Sequence, residues 1–435
     1  MVGFTNTRRM LDGRRRLRKC ATFPRHPPTG RRVGGDRGHR GAPPSIPARL
    51  AAAAVRTAVM LGWLVALTAL WLLLALHDLW AVARLVELPA SGQTAASREV
   101  TAVMAVRDDV AHVDQSLRDL LAQEHVQLRV IVVDDRSRDG TGEVLAALAR
   151  QHDRLRVVTV RELPPDWLGK SHALHVGTAG VTTRWLLFTD GDARLTTDAL
   201  ARAIDAAEAA GAHHVSLLPS HRHTTRLGQA CLLAFHLTIL RRVALVNGRR
   251  QRGFVGTGAF NLVRTDAYRA VGGHLPLRLE VVDDVWLGYL LHRAGYRSRV
   301  WFAPRALAID WGGTPQDLVR VTTKNMFAVL RYRTPLAGLA IVAFTLVHTA
   351  TWSAPVWAGP EGAWPLLAWS TGMAPGLQLA RRMGWSPLAG LLMPLGRLLL
   401  PIALAHSTWV TLRQGGVRWR DTFYPLARLR TGQVK

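Results

Sequence analysis

The chain reads as an α/β protein built on a doubly wound, mainly parallel sheet with flanking transmembrane helices. Three observations predict this. Short apolar runs alternate with segments of helical periodicity from about residue 98 onward. Three of those runs end in aspartate pairs, which puts carboxylates on the sheet edge where ligands bind. Long uncharged stretches stand before and after this region.

At 435 residues the chain has room for one large domain or two ordinary ones with additions. Its formal charge of +26 is unevenly spread, because residues 1–56 hold 14 Arg or Lys against two Asp. That segment is rich in Gly and Pro and poor in large apolar residues, so it is expected to be a disordered basic tail. The remainder is still basic. The uncharged stretches favour a membrane surface over nucleic acid as the partner for this charge. Cys20 and Cys231 lie far apart without companions at metal-ligand spacing, which argues against a disulfide framework and a zinc site.

Thr57 to Leu76 carries no charge, and a helix over 57–80 is long enough to cross a bilayer. Towards the other end, 334–412 supplies two firm spans, roughly 336–354 and 390–412. The piece between them, 363–380, contains Pro365, Pro375 and Gly376 and reads as a third span or a re-entrant segment. Residues 413–435 read as a basic cytoplasmic tail.

Between these ends, strands are expected over Val100–Val106, Leu128–Val133, Leu155–Val160, Trp185–Thr189 and Val215–Leu218. The first is followed by Asp108-Asp109, the second by Asp134-Asp135, and the fourth by Asp190-Gly191-Asp192. Helices are expected over 113–123, 142–151, 171–179 and from Thr196 or Thr197 to about Ala210. Leu227–Val246 is apolar but interrupted by His236, Arg241 and Arg242, which suits a helix lying on the sheet or on the bilayer surface. Gly253 to Phe260 brings three glycines beside an extended apolar run, and such glycines let backbone approach a ligand or form a bulge. Asp283-Asp284 opens a helix, where its dipole favours carboxylates and where a general base could also sit. Residues 314–332 read as an interfacial helix, apolar on one side and basic on the other.

Taken alone, Asp190-Gly191-Asp192 is better explained as a polar turn. With two more acidic strand ends on the same edge, it gains a second reading. Close carboxylates repel unless a cation joins them, and oxygen ligands suit Mg²⁺ or Mn²⁺ shared with phosphate.

The ordered set of these motifs resembles a membrane-bound glycosyltransferase of family 2 with the GT-A fold, over about 98–333. It rests on Arg107-Asp108-Asp109, the run Val132 to Thr141, Gly169-Lys170, Asp190-Gly191-Asp192, Gly256 to Phe260 and Asp283-Asp284. Gly416 to Tyr424 also resembles the tail of relatives acting on hopanoids, carotenoids and ceramide. The resemblance implies a nucleotide-sugar donor, a lipid acceptor and a metal ion, Mn²⁺ or Mg²⁺. It implies that Asp135, Asp108, Asp109, Lys170, Asp190 and Gly258 hold the donor. Asp192, with Asp190, would bind the metal, and Asp284, with Asp283 beside it, would act as catalytic base. It further implies a multi-pass protein of the cell membrane with its catalytic domain in the cytoplasm, where nucleotide sugars are found. A single N-terminal span then leaves the basic tail outside, against the positive-inside tendency.

The sequence departs from the family pattern in places. Asp108-Asp109 stands where Asn-Glu is common, and Asp283-Asp284 where Glu-Asp is common. The Gln-x-x-Arg-Trp motif of polymer synthases is missing; Thr323 to Ala328 and Arg331-Tyr332 occupy its region, leaving Lys324 or Arg331 to face the diphosphate. This favours transfer of a single sugar. Two other readings use the same residues, a sugar nucleotidyltransferase and a membrane scaffold that has lost catalysis. The apolar segments count against the first and the intact acidic set against the second.

Overall fold

The computed structural model describes residues 46–90 and 98–434; most of the basic segment 1–56 lies outside them. The first described element is helix α1, Ile46–Ala83, which is longer at both ends than the helix expected over 57–80. Pro47 in the first turn and the alanine run 51–54 explain the early start.

Strands β1 (Glu99–Val106), β2 (Gln127–Asp135), β3 (Leu155–Val160) and β4 (Trp185–Thr189) follow, then the short β5 (Arg194–Leu195). After them come β6 (His214–Leu218), β7 (Ser220–His221), β8 (Asn261–Arg264), β9 (Ser298–Phe302) and β10 (Leu307–Ile309). Seven strands form the main sheet in the order β3-β2-β1-β4-β8-β6-β9. β1 to β4 run parallel, and β8 alone is antiparallel to its neighbours. A small sheet, β5-β10-β7, stands beside it.

The central strands are buried on both faces, and the alternation of side chains divides them between two cores. Val100, Ala102, Met104 and Val106 of β1 point with Trp185 and Leu187 into one core. Helices α2 (Val113–Leu121), α3 (Thr141–Gln151) and α5 (Ala199–Ala209) close it. Val103, Leu186 and Phe188 point into the other, against α4 (Gly169–Gly177), α7 (Thr265–Ala270) and α8 (Asp283–Arg293).

From β1 the chain winds one way to β2 and β3, then returns to place β4 on the opposite side of β1. The carboxyl ends of β1 and β4 therefore flank a topological switch point, the crevice where such sheets take ligands.

Helix α6, Arg226–Asn247, resolves the choice left by its sequence: it packs on the protein. Leu233, Leu237 and Leu240 meet Val300 and Phe302 of β9, together with Leu379 and Met393 from the C-terminal helices. Residues 314–332 are corrected from one interfacial helix to two short ones, α9 (Pro315–Thr322) and α10 (Met326–Val329). The threonines cause the break: Thr322 and Thr323 hydroxyls turn back onto the carbonyls of Leu318 and Val319. Ser407 holds it, accepting from Phe327 N and donating to the Thr323 carbonyl at 2.5 Å.

The C-terminal apolar region is divided into α11 (Thr334–Ala358), α12 (Ala363–Ser370), α13 (Met373–Met383), α14 (Pro387–Gly396) and α15 (Leu399–Gln414). Among the described residues three helical segments are long and apolar enough to cross a membrane: Ile46–Ala83, Arg226–Asn247 and Thr334–Met383. The pair α14–α15, bent by 51°, makes a fourth if counted as one span. The described residues of the expected tail 413–435 carry regular structure beyond α15. They form a hairpin, β11 (Gly416–Trp419) and β12 (Thr422–Pro425), and helix α16 (Leu426–Thr431). Val417, Tyr424 and Leu429 are buried with Phe327 and Tyr332.

One buried ionic triad ties three helices together. Asp78 of α1 is fully buried; Arg241 of α6 donates to its Oδ1 at 2.8 Å, and Arg397, at the α14–α15 bend, to its Oδ2. Replacing Asp78 by Ala leaves the buried Arg397 without a counter-charge. The expected cost is roughly 3–5 kcal/mol, read as a lower midpoint of thermal unfolding in detergent; an unchanged midpoint would refute this role.

Candidate functional site

The switch point collects the aspartates that follow β1, β2 and β4. Two loops are stitched together there. Asp108, in a left-handed conformation (φ 49°), donates its N–H to Ser137 Oγ at 3.0 Å and accepts from Arg138 N at 2.8 Å. Asp109 N donates to Thr141 Oγ1 at 2.9 Å, and its carboxylate meets His112 Nδ1 at 2.8 Å. Asp135 is buried and gripped by Arg136, at 2.7 and 3.0 Å. Its Oδ2 lies against Gly169, where any Cβ would collide with it.

Gly169 opens α4, which puts Lys170 in a first helical turn rather than in a loop. Lys170 Nζ lies 2.6 Å from Asp190 Oδ1 and 3.9 Å from Asp283 Oδ1. Burial opposes its charge, but Asp190, Asp283 and Asp284 outweigh burial and raise its pKa above the ordinary lysine value. Thr189 donates to the Ala259 carbonyl at 2.8 Å and so ties the end of β4 to the glycine loop. Gly258 of that loop lies against the Asp190 carboxylate and Lys170, with no room for a side chain.

Asp192 completes the group. Burial, then Asp190 and Asp109, push its pKa up to about 7. Among the described residues no three His, Cys, Asp or Glu side chains form a metal cage. Mg²⁺ and Mn²⁺ in phosphate-transferring sites are commonly held by one or two carboxylates plus substrate oxygens. A carboxylate that shares its surroundings with two others fits such an ion, because the ion would relieve their repulsion.

At the start of α8 the two aspartates differ sharply. Asp283 is buried, 3.7 Å from His274 Nε2. Burial works against its charge, but Lys170 and then His274 hold its pKa below the usual carboxylate value. Asp284 is half-buried. Burial, then the charge of Asp283, raise its pKa to about 7. Such a carboxyl can accept a proton near neutral pH.

The structure thus brings Lys170, Asp190, Gly258, Asp283 and Asp284 around one recess. Asp192 faces an adjoining cleft of about 470 Å³ that also includes His112, Arg222 and Asp310. Asp108 and Asp109 lie on the neighbouring loop and Asp135 ends β2, its carboxylate already paired with Arg136. Sequence reading missed His274, which lies between Asp283 and the Tyr268 hydroxyl, at 2.7 Å from the latter. The only local signal was its place after Gly272-Gly273.

A model of the family described as glycosyltransferase like family 2 matches residues 98–334. The succinoglycan biosynthesis protein ExoO of Rhizobium meliloti (strain 1021) is 33% identical over 115 residues, which are 26% of this chain. The chain spans 31% of the length of that curated relative. Among solved structures, the mannosyltransferase PcManGT from Pyrobaculum calidifontis, in complex with GDP-Man and Mn²⁺, is 19% identical with a TM-score of 0.49. That match covers 79% of this chain and 98% of the other. TarS from S. aureus is 15% identical with a TM-score of 0.38, covering 74% and 56%.

Gly256 gives a test of the packing under α8, because a Cβ there would overlap the Asp284 backbone carbonyl, which cannot rotate away. Gly256→Ala is expected to cost about 1–3 kcal/mol, read as a lower midpoint of thermal unfolding; full retention of stability would show that the loop has slack.

Proposed function

The chain belongs to the glycosyltransferase-like family 2, and from that premise we propose that it transfers one sugar from a UDP-sugar to a lipid-like acceptor. The acceptor would lie at the cytoplasmic face of the cell membrane, in which the chain is anchored by several spans. The observation that carries this reading is the meeting of Lys170, Asp190, Asp283 and Asp284 at the switch point of the sheet.

In this reading Asp108, Asp109 and Asp135 hold the nucleoside, and Lys170 with Asp190 and Gly258 holds the sugar side of the donor. Mn²⁺ or Mg²⁺, held by Asp192 with Asp190, would neutralise charge on the departing diphosphate. Asp284 takes the proton of the acceptor hydroxyl as that oxygen forms its bond to the anomeric carbon. The bond from that carbon to the diphosphate breaks in the same displacement, and the configuration inverts. Asp283, kept ionised by Lys170 and His274, does not compete for the proton; its charge keeps Asp284 basic enough to accept it. The apolar helices α1 and α11 support a membrane-borne acceptor, because a lipid substrate needs the domain held at the bilayer.

Asp284→Asn is expected to lower transfer by about 10²–10⁴-fold while UDP binding is kept. The assay is incubation of membranes with labelled UDP-sugars and Mn²⁺ or Mg²⁺, followed by extraction into organic solvent. No extractable product across a panel of donors would overturn the reading.

The activity should also have an acidic limb. Asp284 is protonated below its raised pKa, so kcat/KM should climb as pH rises through about 7. Asp283→Asn removes the neighbouring charge and should move this limb to lower pH in a pH–rate profile. A limb that stays in place would count against the pairing of roles.

A further inference from the structure

The C-terminal hairpin reaches the site along its turn and its second strand. Near the nucleoside end, Asp421 pairs with Arg107 at 2.9 Å, and the Tyr424 hydroxyl accepts from Gly169 N at 3.3 Å. Beside the same turn Trp419 lies beneath Lys324, with Nζ 3.6 Å from the ring centroid. Lys324 sits in the break between α9 and α10. It forms no hydrogen bond or ion pair among the described residues; the charges around it are those of Lys170, Asp190, Asp283 and Arg420. An ammonium that rests on an aromatic face and has no anion in direct contact is an incomplete site. Burial, then the nearby Lys170, lower its pKa to about 8, as expected of a cation lacking its partner.

Arg331, the other cation of this region, is already committed. It stacks on Trp286, with 4.9 Å from its guanidinium carbon to the ring centroid. It also donates to Gln433 Oε1 at 3.2 Å and to the Val434 carbonyl.

We propose that Lys324 binds the diphosphate of the donor and that Trp419 is its positioning residue, which makes the C-terminal hairpin part of the donor site. This rests on the nucleotide-sugar reading above. The two-residue turn at Arg420-Asp421, with Arg420 in a left-handed conformation (φ 53°), sets the height at which Trp419 meets Lys324. A cation–π contact suits the task, because it holds an ammonium without neutralising it and leaves its charge for an incoming anion.

The test compares UDP with UMP, binding each to the full-length protein in detergent. Lys324→Ala and Trp419→Leu should weaken UDP about tenfold or more and leave UMP nearly unchanged, because only UDP carries the second phosphate. Trp419→Phe keeps an aromatic face and should restore UDP binding. Equal losses for both nucleotides, or a Phe variant as weak as the Leu variant, would reduce the hairpin to packing and overturn the proposal. Unchanged UDP affinity in the Lys324 variant would do the same. Wild-type protein that binds neither nucleotide would instead remove the donor reading beneath it.

Discussion

The site depends on one ammonium among carboxylates. Lys170 stands between Asp190, which ends a strand, and Asp283, which begins a helix. Those two elements face each other across the recess, and the like charges they present would separate them. Coulomb energy between charges a few ångströms apart amounts to several kcal/mol at the effective dielectric of a protein surface. With Lys170 in place the two fronts are held together. The glycines follow from the same constraint. Gly169, Gly191 and Gly258 each lie where a Cβ would strike Asp135, Asp109 or Asp190, so backbone and carboxylates can crowd one small volume.

The same crowding gives the acidic groups different proton affinities. Asp283 and Asp284 are neighbours in sequence and differ in partners. Asp283 faces two cationic or hydrogen-bonding groups, Lys170 and His274, and stays ionised. Asp284 faces the charge of Asp283 and takes up a proton more readily. Two carboxyls whose surroundings push their proton affinities apart are what a base and its fixed neighbour require. Asp192 is raised for a different reason, burial beside two further carboxylates, and that repulsion is what a divalent cation would relieve.

Much of this was legible in the sequence, for identifiable physical reasons. Leu155–Val160 and Trp185–Thr189 have the strand limits expected, because short apolar runs with clear stops leave little choice of register. The acidic strand ends needed only the parallel order to share an edge. The break between α9 and α10 was hidden, because it is made by Thr322 and Thr323 bonding backward and by Ser407 from a helix about eighty residues on. His274 was hidden because its place in the site comes from its contacts with Tyr268 and Asp283, neither adjacent to it in the chain. The hairpin at 416–425 lies inside the stretch expected to be a basic tail, whose charge comes from Arg413, Arg418, Arg420, Arg428 and Arg430. The alternation of Val417 and Trp419 with Arg418 and Arg420 is a strand signal that charge counting overrides.

That misreading matters for how the protein is put together. Helix α6 lies between the sheet and the helices α13 and α14, and Asp78 binds it to α1 and to the α14–α15 bend. α15 then supplies Ser407 to the break that carries Lys324, and runs directly into the hairpin that carries Trp419. A single stretch of chain therefore leaves the apolar helices and sets both partners of the cation–π pair. Any shift of α15 along its axis would move Lys324 and Trp419 together rather than apart. The geometry of the proposed donor site is in this way tied to the packing of the apolar helices, and a fragment ending near residue 334 would keep the aspartates but lose the surface on which Lys324 rests.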